Sequence, residues 1–333
     1  MRWHRLVPAL RRIDDERASL RAENAQLKAE VARLAARRGE LEATLNALAP
    51  PPADSPFPTA RSIPGDGFHV VRFEYRYDPR PRALRESASG RALATRIEGE
   101  RERHAALLRA AAAMAETWHT IPLAADADRP HWTNGWFHPF DALSLGALLV
   151  GRNPARYVEF GSGHSTRFAR HVIATHRLRT RIVSVDPAPR AAVDALCDSV
   201  MRKRLETLDA GFFAGLGADD LVFVDTSHRA FQNSDVTVFM TEVLPQLPAG
   251  TLVGLHDIFL PDDYPARWAH TFFNEQYLLA CLLLGDAHWR IVFPAHFAAQ
   301  DAALAAIARG LFDSLGVPEE RRSGSAFWIE RTA

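Results

Sequence analysis

From residue 156 onward the sequence predicts an α/β fold: a doubly wound, mostly parallel sheet, preceded by an N-terminal coiled-coil helix. Three observations predict it. Beyond Arg156, apolar strand-like runs alternate with amphipathic segments, the pattern of a parallel sheet covered by helices. One of those runs, Tyr157–Phe160, opens into a Gly-Ser-Gly turn and then a helix. The N-terminal segment carries a seven-residue apolar period.

That period places Leu6, Ile13, Leu20, Leu27, Leu34, Leu41 and Leu48 on one register, here called d. The a positions are Leu10, Arg17, Asn24, Val31, Arg38 and Leu45. A narrow a/d stripe requires a partner helix to cover it. The flanking pairs Glu16–Arg21, Glu23–Lys28 and Arg37–Glu42 are opposite in charge, which favours two parallel chains. Asn24 at an a position fixes register in a two-stranded coil. The expected partner is therefore a second copy, giving a homodimer. A single amphipathic helix lying on its own domain is the alternative.

Four segments follow from composition. Residues 1–49 are the coiled-coil helix, and residues 50–66 a proline-rich linker that no helix can cross. Residues 67–130 form an accessory layer, with a strand over Phe68–Tyr77 and a helix over Ala92–Trp118. Residues 131–333 are the main domain. Its strands are expected at Tyr157–Phe160, Ile182–Asp186, Leu221–Asp225, Leu252–His256, Arg290–Phe293 and Ala326–Glu330, with a weaker one near Leu205–Leu208. Helices are expected at Ser165–His176, Arg190–Met201, Asp235–Leu247, Ala266–Leu284 and Ala302–Leu315.

Composition excludes several functions. Lys+Arg and Asp+Glu are both 40 in 333 residues, so no basic field recommends nucleic acid. Two cysteines without metal-ligand spacing argue against a disulfide framework or a Cys-based zinc site, and fit a reducing, cytoplasmic setting. The apolar runs Ala142–Val150 and Tyr277–Leu284 are too short to span a bilayer, and no signal-peptide core follows the N-terminal arginines.

The chemistry gathers at strand ends. Gly161 and Gly163 let the backbone approach a ligand, and the following helix offers free N–H groups to a carboxylate or phosphate. Asp186, ending the next strand, is placed to accept hydrogen bonds from ribose hydroxyls. An ordinary βα turn with a capping Asp would look the same. Both a dinucleotide and S-adenosylmethionine suit this geometry. The dinucleotide fingerprint needs a third glycine where this chain has Thr166.

Glu159-Phe-Gly-Ser-Gly163, Val185-Asp186 and the closing Phe327-Trp-Ile329 resemble the motifs of class I S-adenosylmethionine-dependent methyltransferases. More narrowly, the chain resembles a bacterial subgroup related to macrocin-type and catechol-type O-methyltransferases, over Trp132–Asp141, Arg156–Thr166, Val222–His228 and His256–Pro265. The resemblance implies a seven-stranded sheet whose last strand runs antiparallel. It implies that Glu159, Gly161, Ser162 and Gly163 surround the methionine part of the cofactor, with Ser165 as an extra contact, and that Asp186 holds its ribose.

Asp225 and His228 stand at the carboxyl end of the fourth strand, where open α/β sheets bind ligands. His228 has the chemistry of a base for a hydroxyl nucleophile. Catechol-type relatives have lysine at the corresponding place, so histidine is a departure, and a helix-capping histidine is the plain alternative. His256 and Asp257 end the fifth strand. They align with metal-ligand positions of metal-dependent relatives, so Asp225, His256 and Asp257 form a possible divalent-cation set. A metal-free site that uses them to bind substrate is the alternative. Asp262, Asp263, Tyr264 and Trp268 follow on a proline-bounded loop, and Trp132, Trp136 and His138 precede the first strand. For these, as for His164 beside the glycine turn, packing or turn chemistry competes with ligand contact.

The expected function is O-methylation of a hydroxyl on a sugar, glycan or natural-product acceptor. A nicotinamide-dependent oxidoreductase, or a non-catalytic coiled-coil scaffold with a vestigial cofactor fold, are the other readings.

Overall fold

The computed structural model describes residues 79–332 apart from 126–128 and 190–191, and in the N-terminal part residues 24–25, 27–34, 36–37, 40, 60–62 and 69–71. Two compact units divide at Asp78/Pro79. In the first, the described residues between 24 and 40 are helical, and Ala60–Ser62 pairs antiparallel with His69–Val71. Leu27, Val31 and Leu34 of the apolar stripe are 60%, 66% and 53% exposed in the single chain. Asn24 is among these helical residues, and the strand Ala60–Ser62 falls inside the expected proline-rich linker. The other stripe positions, the rest of the linker, and Phe68 and Arg72–Tyr77 of the predicted strand lie outside the described residues.

The second unit opens with three helices, α1 (Ala88–Gly99), α2 (Arg101–Ala113) and α3 (Ala115–His119), and then α4 (Pro139–Arg152). Next come β1 (Arg156–Phe160), α5 (His164–His176), β2 (Arg181–Val185), β3 (Ser199–Met201), α6 (Ala210–Ala214) and β4 (Asp220–Val224). The chain continues through α7 (Asp235–Val238), β5 (Leu252–Leu255), α8 (Glu275–Gly285), β6 (Trp289–Pro294), α9 (Ala295–Gln300), α10 (Ala302–Ser314) and β7 (Phe327–Arg331).

The strands form one sheet in the order β3-β2-β1-β4-β5-β7-β6. The first five run parallel, and β7 is antiparallel to both β5 and β6. This is the seven-stranded sheet with an antiparallel last strand that the motifs implied. Central strand β4 is buried at every residue, as a parallel strand covered on both faces must be. Around its Phe223 pack Tyr157, Phe137, Trp328 and His256. Burying an apolar ring such as Phe137 or Phe223 contributes on the order of 1.5–3 kcal/mol by removing it from water. Helix α4 lies between α5 and α2, and α2 also meets α10 and β6. No helix among the described residues is long and apolar enough to cross a membrane.

Four predicted elements came out differently. In the segment Arg190–Met201, expected as a helix, the described residues form a turn at Asp194–Leu196 and then strand β3. Asp198 accepts from Ile182 N–H, and Asp186 N–H donates to the Met201 carbonyl, so sheet pairing overrides the helical pattern. The weaker strand at Leu205–Leu208 is a 3₁₀ turn. The expected Ala92–Trp118 helix is divided into three at Glu100 and Met114. The expected Ala266–Leu284 helix is broken at Phe272, whose φ is +56°. There Asn274 donates its N–H to the His228 carbonyl and accepts from Ala230 N–H, tying the break to the end of β4.

Candidate active site

The sheet reverses its winding between β1 and β4, and both strands end in the crevice where such folds bind ligands. Gly161, with φ +82°, ends β1, and a Cβ there would lie 1.8 Å from the Asp225 carbonyl oxygen. Only glycine lets the two strand ends approach this closely. Gly163 has open space where a Cβ would stand, leaving a cradle over the N-terminus of α5.

Asp186 faces the same turn from the end of β2. Its Oδ2 accepts from Ser162 N–H at 2.8 Å and from Ser162 Oγ at 3.3 Å, and its Oδ1 accepts from Ala188 N–H. Glu159 is fully buried beneath the turn, where its carboxylate accepts from Tyr157, Ser165 and Thr166 hydroxyls. Burial pushes its pKa up to about 7, against the lowering effect of those three donors. Glu159 and Ser165 thus bond each other behind the cradle, with Ser165 only 4% exposed. Thr166, at the place of the missing third glycine, binds Glu159 and accepts from Gly163 N–H.

Across the crevice, the ends of β4 and β5 bring together the residues predicted there. His228 Nε2 lies 3.2 Å from Asp225 and 3.4 Å from Asp257. His256 Nδ1 faces the same two acids at 3.6 and 3.4 Å. His228 and Asp257 both hold left-handed backbone, φ +58° and +57°. Strain of that kind concentrates at functional sites.

Two acids that sequence reasoning missed stand behind the histidines. Glu275, the first residue of α8, places Oε2 3.0 Å from His228 Nδ1, and its side chain is wholly buried. Asp141, in the first turn of α4, places Oδ2 3.3 Å from His256 Nε2. Its Oδ1 accepts from Ser325 and Ala326 N–H, pinning the start of β7. Asp141 lay inside a recognised stretch without a role, and Glu275 lay inside a helix predicted without its break.

Every ring nitrogen of His228 and His256 therefore faces a carboxylate. Burial disfavours their charged forms, but the acids outweigh it. His228 is pushed up to about 10 by Asp225, Glu275 and Asp257, and His256 well above its ordinary value by Asp225, Asp257 and Asp141. Burial raises Asp225, yet the two histidines bring its pKa far below the usual carboxylate range. Among the described residues, Asp225, His228 and Asp257 form the group that could hold a metal ion, their donor atoms all within 4.8 Å of one another. The sequence put His256 in that set; His228 takes its place here.

Other expected contacts are engaged elsewhere. Trp132 is buried against Trp118 and Phe168, whereas Trp136 is 60% exposed. His138 caps α4, with its N–H on Asp141. His164 packs edge-on to His131, and burial lowers its pKa to about 4. Tyr264 is buried, accepting from Gln276 N–H, and Trp268 packs edge-on to Phe259.

Residues 158–258, which span both halves of this crevice, match the family model of a methyltransferase domain. This is a class I S-adenosylmethionine-dependent methyltransferase domain. Among solved structures, an SAH-bound methyltransferase from Podospora anserina is 15% identical, covering 58% of this chain and 78% of its own, with a TM-score of 0.36. An O-methyltransferase from Bacillus cereus in complex with SAH is 12% identical, covering 70% and 91%, with a TM-score of 0.30. No curated protein matches the chain. The residues fit the methyltransferase cofactor: the cradle at Gly163 is open, and Asp186 stands on its rim.

Proposed function

We propose that this methyltransferase acts on oxygen, transferring the methyl group to a hydroxyl of a sugar, glycan or natural-product acceptor. The observation that carries this reading is His228, held between Asp225 and Asp257 with Glu275 behind it, across the crevice from the glycine turn. A hydroxyl is a poor nucleophile until its proton is drawn off, and a fixed imidazole is suited to that task. S-adenosylmethionine supplies, when bound, an electrophilic methyl group on a sulfonium. Gly161 and Gly163 admit it, Asp186 and the Ser162 backbone fix one side, and the chain's further work is alignment.

Glu275 orients His228 through Nδ1 and leaves Nε2 as the working nitrogen. The acids keep His228 protonated at neutral pH, so its basic form grows as pH rises toward about 10. Turnover resting on His228 alone therefore climbs across that range. A second reading places a divalent cation on Asp225, His228 Nε2 and Asp257. What favours it is the donor spacing, together with Glu275 on the far ring nitrogen, the partner that metal-bound histidines ordinarily have. One imidazole with two carboxylates suits Mn²⁺, Fe²⁺ or Zn²⁺ better than Mg²⁺. Such an ion, when bound, polarises an acceptor hydroxyl.

The test is methyl transfer from tritiated S-adenosylmethionine to a panel of methyl glycosides, glycans and hydroxylated natural products, resolved by mass spectrometry. Label on oxygen supports the reading, and label on nitrogen or carbon alone overturns it. The same assay with EDTA, then with added Mn²⁺ or Mg²⁺, separates the two versions.

A further inference from the structure

The loop 257–274 starts at Asp257 and ends beside Glu275, so one loop sets two of the acids around His228. Its middle is held by the first residues of the unit that begins at Pro79. Helix α1 docks on the sheet through Arg96, whose guanidinium donates to the Trp289 carbonyl, with Leu93 and Ile97 buried. A short turn, Leu84–Glu86, sits on α1 at Gly90, where a Cβ would lie 1.9 Å from the Leu84 carbonyl oxygen. This contact fixes the segment 79–87 rather than leaving it a free tail. From that turn Arg85 reaches Asp262 at 2.8 Å, with its guanidinium 5.7 Å from the centre of the Phe297 ring. Beside it, Arg82 N–H donates to Asp263 at 2.7 Å. Tyr277 and His296 complete the hold on the two acids.

We propose that Arg85 is a positioning residue for the acceptor half of the site, acting through Asp262 on the loop that carries Asp257 toward His228. Methyl transfer at this cluster is the reading on which the word acceptor rests; the mechanical claim stands apart from it. The segment begins where the N-terminal unit ends, so that unit is covalently joined to the strap that holds the acceptor loop.

Hydrogen–deuterium exchange on the full chain, with SAH bound, tests this for Arg85→Ala, Arg85→Lys and Asp262→Asn. Arg85→Ala and Asp262→Asn are expected to raise exchange across 257–274 by about 2–5-fold, the range set by a part-exposed ion pair. Arg85→Lys restores most of the protection. Exchange across 157–166, SAH affinity by calorimetry, and the melting temperature stay near the parent values. Unchanged exchange in Arg85→Ala, no difference between the Ala and Lys variants, or an equal rise across 157–166 overturns the proposal. Should the exchange result hold while no hydroxyl acceptor is ever methylated, the O-methylation reading alone has failed.

Discussion

Glu275 Oε2 lies 3.0 Å from His228 Nδ1, in a pocket where the Glu275 side chain has no solvent exposure at all. The other carboxylate oxygen, Oε1, is buried without a hydrogen-bond partner. A buried acid committed to one imidazole nitrogen fixes the tautomer and the ring plane of that histidine. It also favours the imidazolium.

Glu275→Gln keeps the size and a carbonyl acceptor but removes the charge. Losing an opposite charge at this distance disfavours the protonated ring, so the His228 pKa is expected to fall, by about 1–3 units. The ¹⁵N chemical shifts of the imidazole, followed against pH, read this directly. An unmoved titration would mean that Glu275 is packing rather than electrostatics.

Gly161→Ala is expected to fail twice over. Its φ of +82° costs a side-chain-bearing residue about 1–2 kcal/mol, and the new Cβ would meet the Asp225 carbonyl 1.8 Å away. Urea unfolding should show a loss of at least about 2 kcal/mol, and calorimetry a loss of SAH binding. Asp186→Ala leaves the turn's glycines in place and is expected to weaken SAH by about 1–3 kcal/mol, through unpaired ribose hydroxyls and a slackened Ser162. Equal affinity in that variant would move the cofactor away from Asp186.

Much of this was legible in the sequence because buried parallel strands read as continuous apolar runs between turn residues. Tyr157–Phe160, Leu221–Val224 and Leu252–Leu255 are of that kind, and Asp225, His228, His256 and Asp257 follow from standing at their ends. Strand β3 was not legible. It is a three-residue edge strand, partly exposed, inside a stretch whose spacing looks helical. Asp141 and Glu275 were hidden for another reason: helix starts distant in sequence deliver them, by 115 residues to His256 and 47 residues to His228. The acidic first turn of α8 was a usable signal, had the break at Phe272 been seen. Nothing local announces the Arg85–Asp262 pair, 177 residues apart.

Stability should fall as the solution is made alkaline. Glu159 has its folded pKa raised to about 7 from 4.5, so the folded state holds a proton that the unfolded state gives up in that interval. Its contribution is full below pH 4.5 and is lost as pH rises through about 7. His228 acts in the same direction higher up: raised to about 10 from 6.5, its contribution is full below 6.5 and lost as pH approaches about 10. Melting temperatures measured across this range should decline in two stages. Glu159→Gln should flatten the first stage and His228→Asn the second. A melting temperature that rises between pH 5 and 7 in the parent, and does so equally in Glu159→Gln, contradicts the assignment.

The N-terminal repeat leads to an expectation about assembly. Leu27, Val31 and Leu34 lie on helical residues and are more than half exposed in the single chain, while the flanking charges form pairs such as Glu30–Arg33 along the same helix. A stripe of large apolar side chains left in water is unfavourable, and burying each leucine against a second helix gains about 1.5–3 kcal/mol. Association entropy opposes this, so a few leucines alone would not suffice, whereas the full stripe from Leu6 to Leu48 would. Asn24 and the opposite charges on the flanks favour two parallel chains over three. A homodimer is therefore expected at micromolar concentration, and removal of residues 1–49 should weaken it without changing SAH affinity. Sedimentation equilibrium on the two forms decides between outcomes. A monomeric full-length chain would refute the coiled coil. An equally strong dimer after truncation would place the interface in the unit that begins at Pro79 and leave the stripe to some other partner.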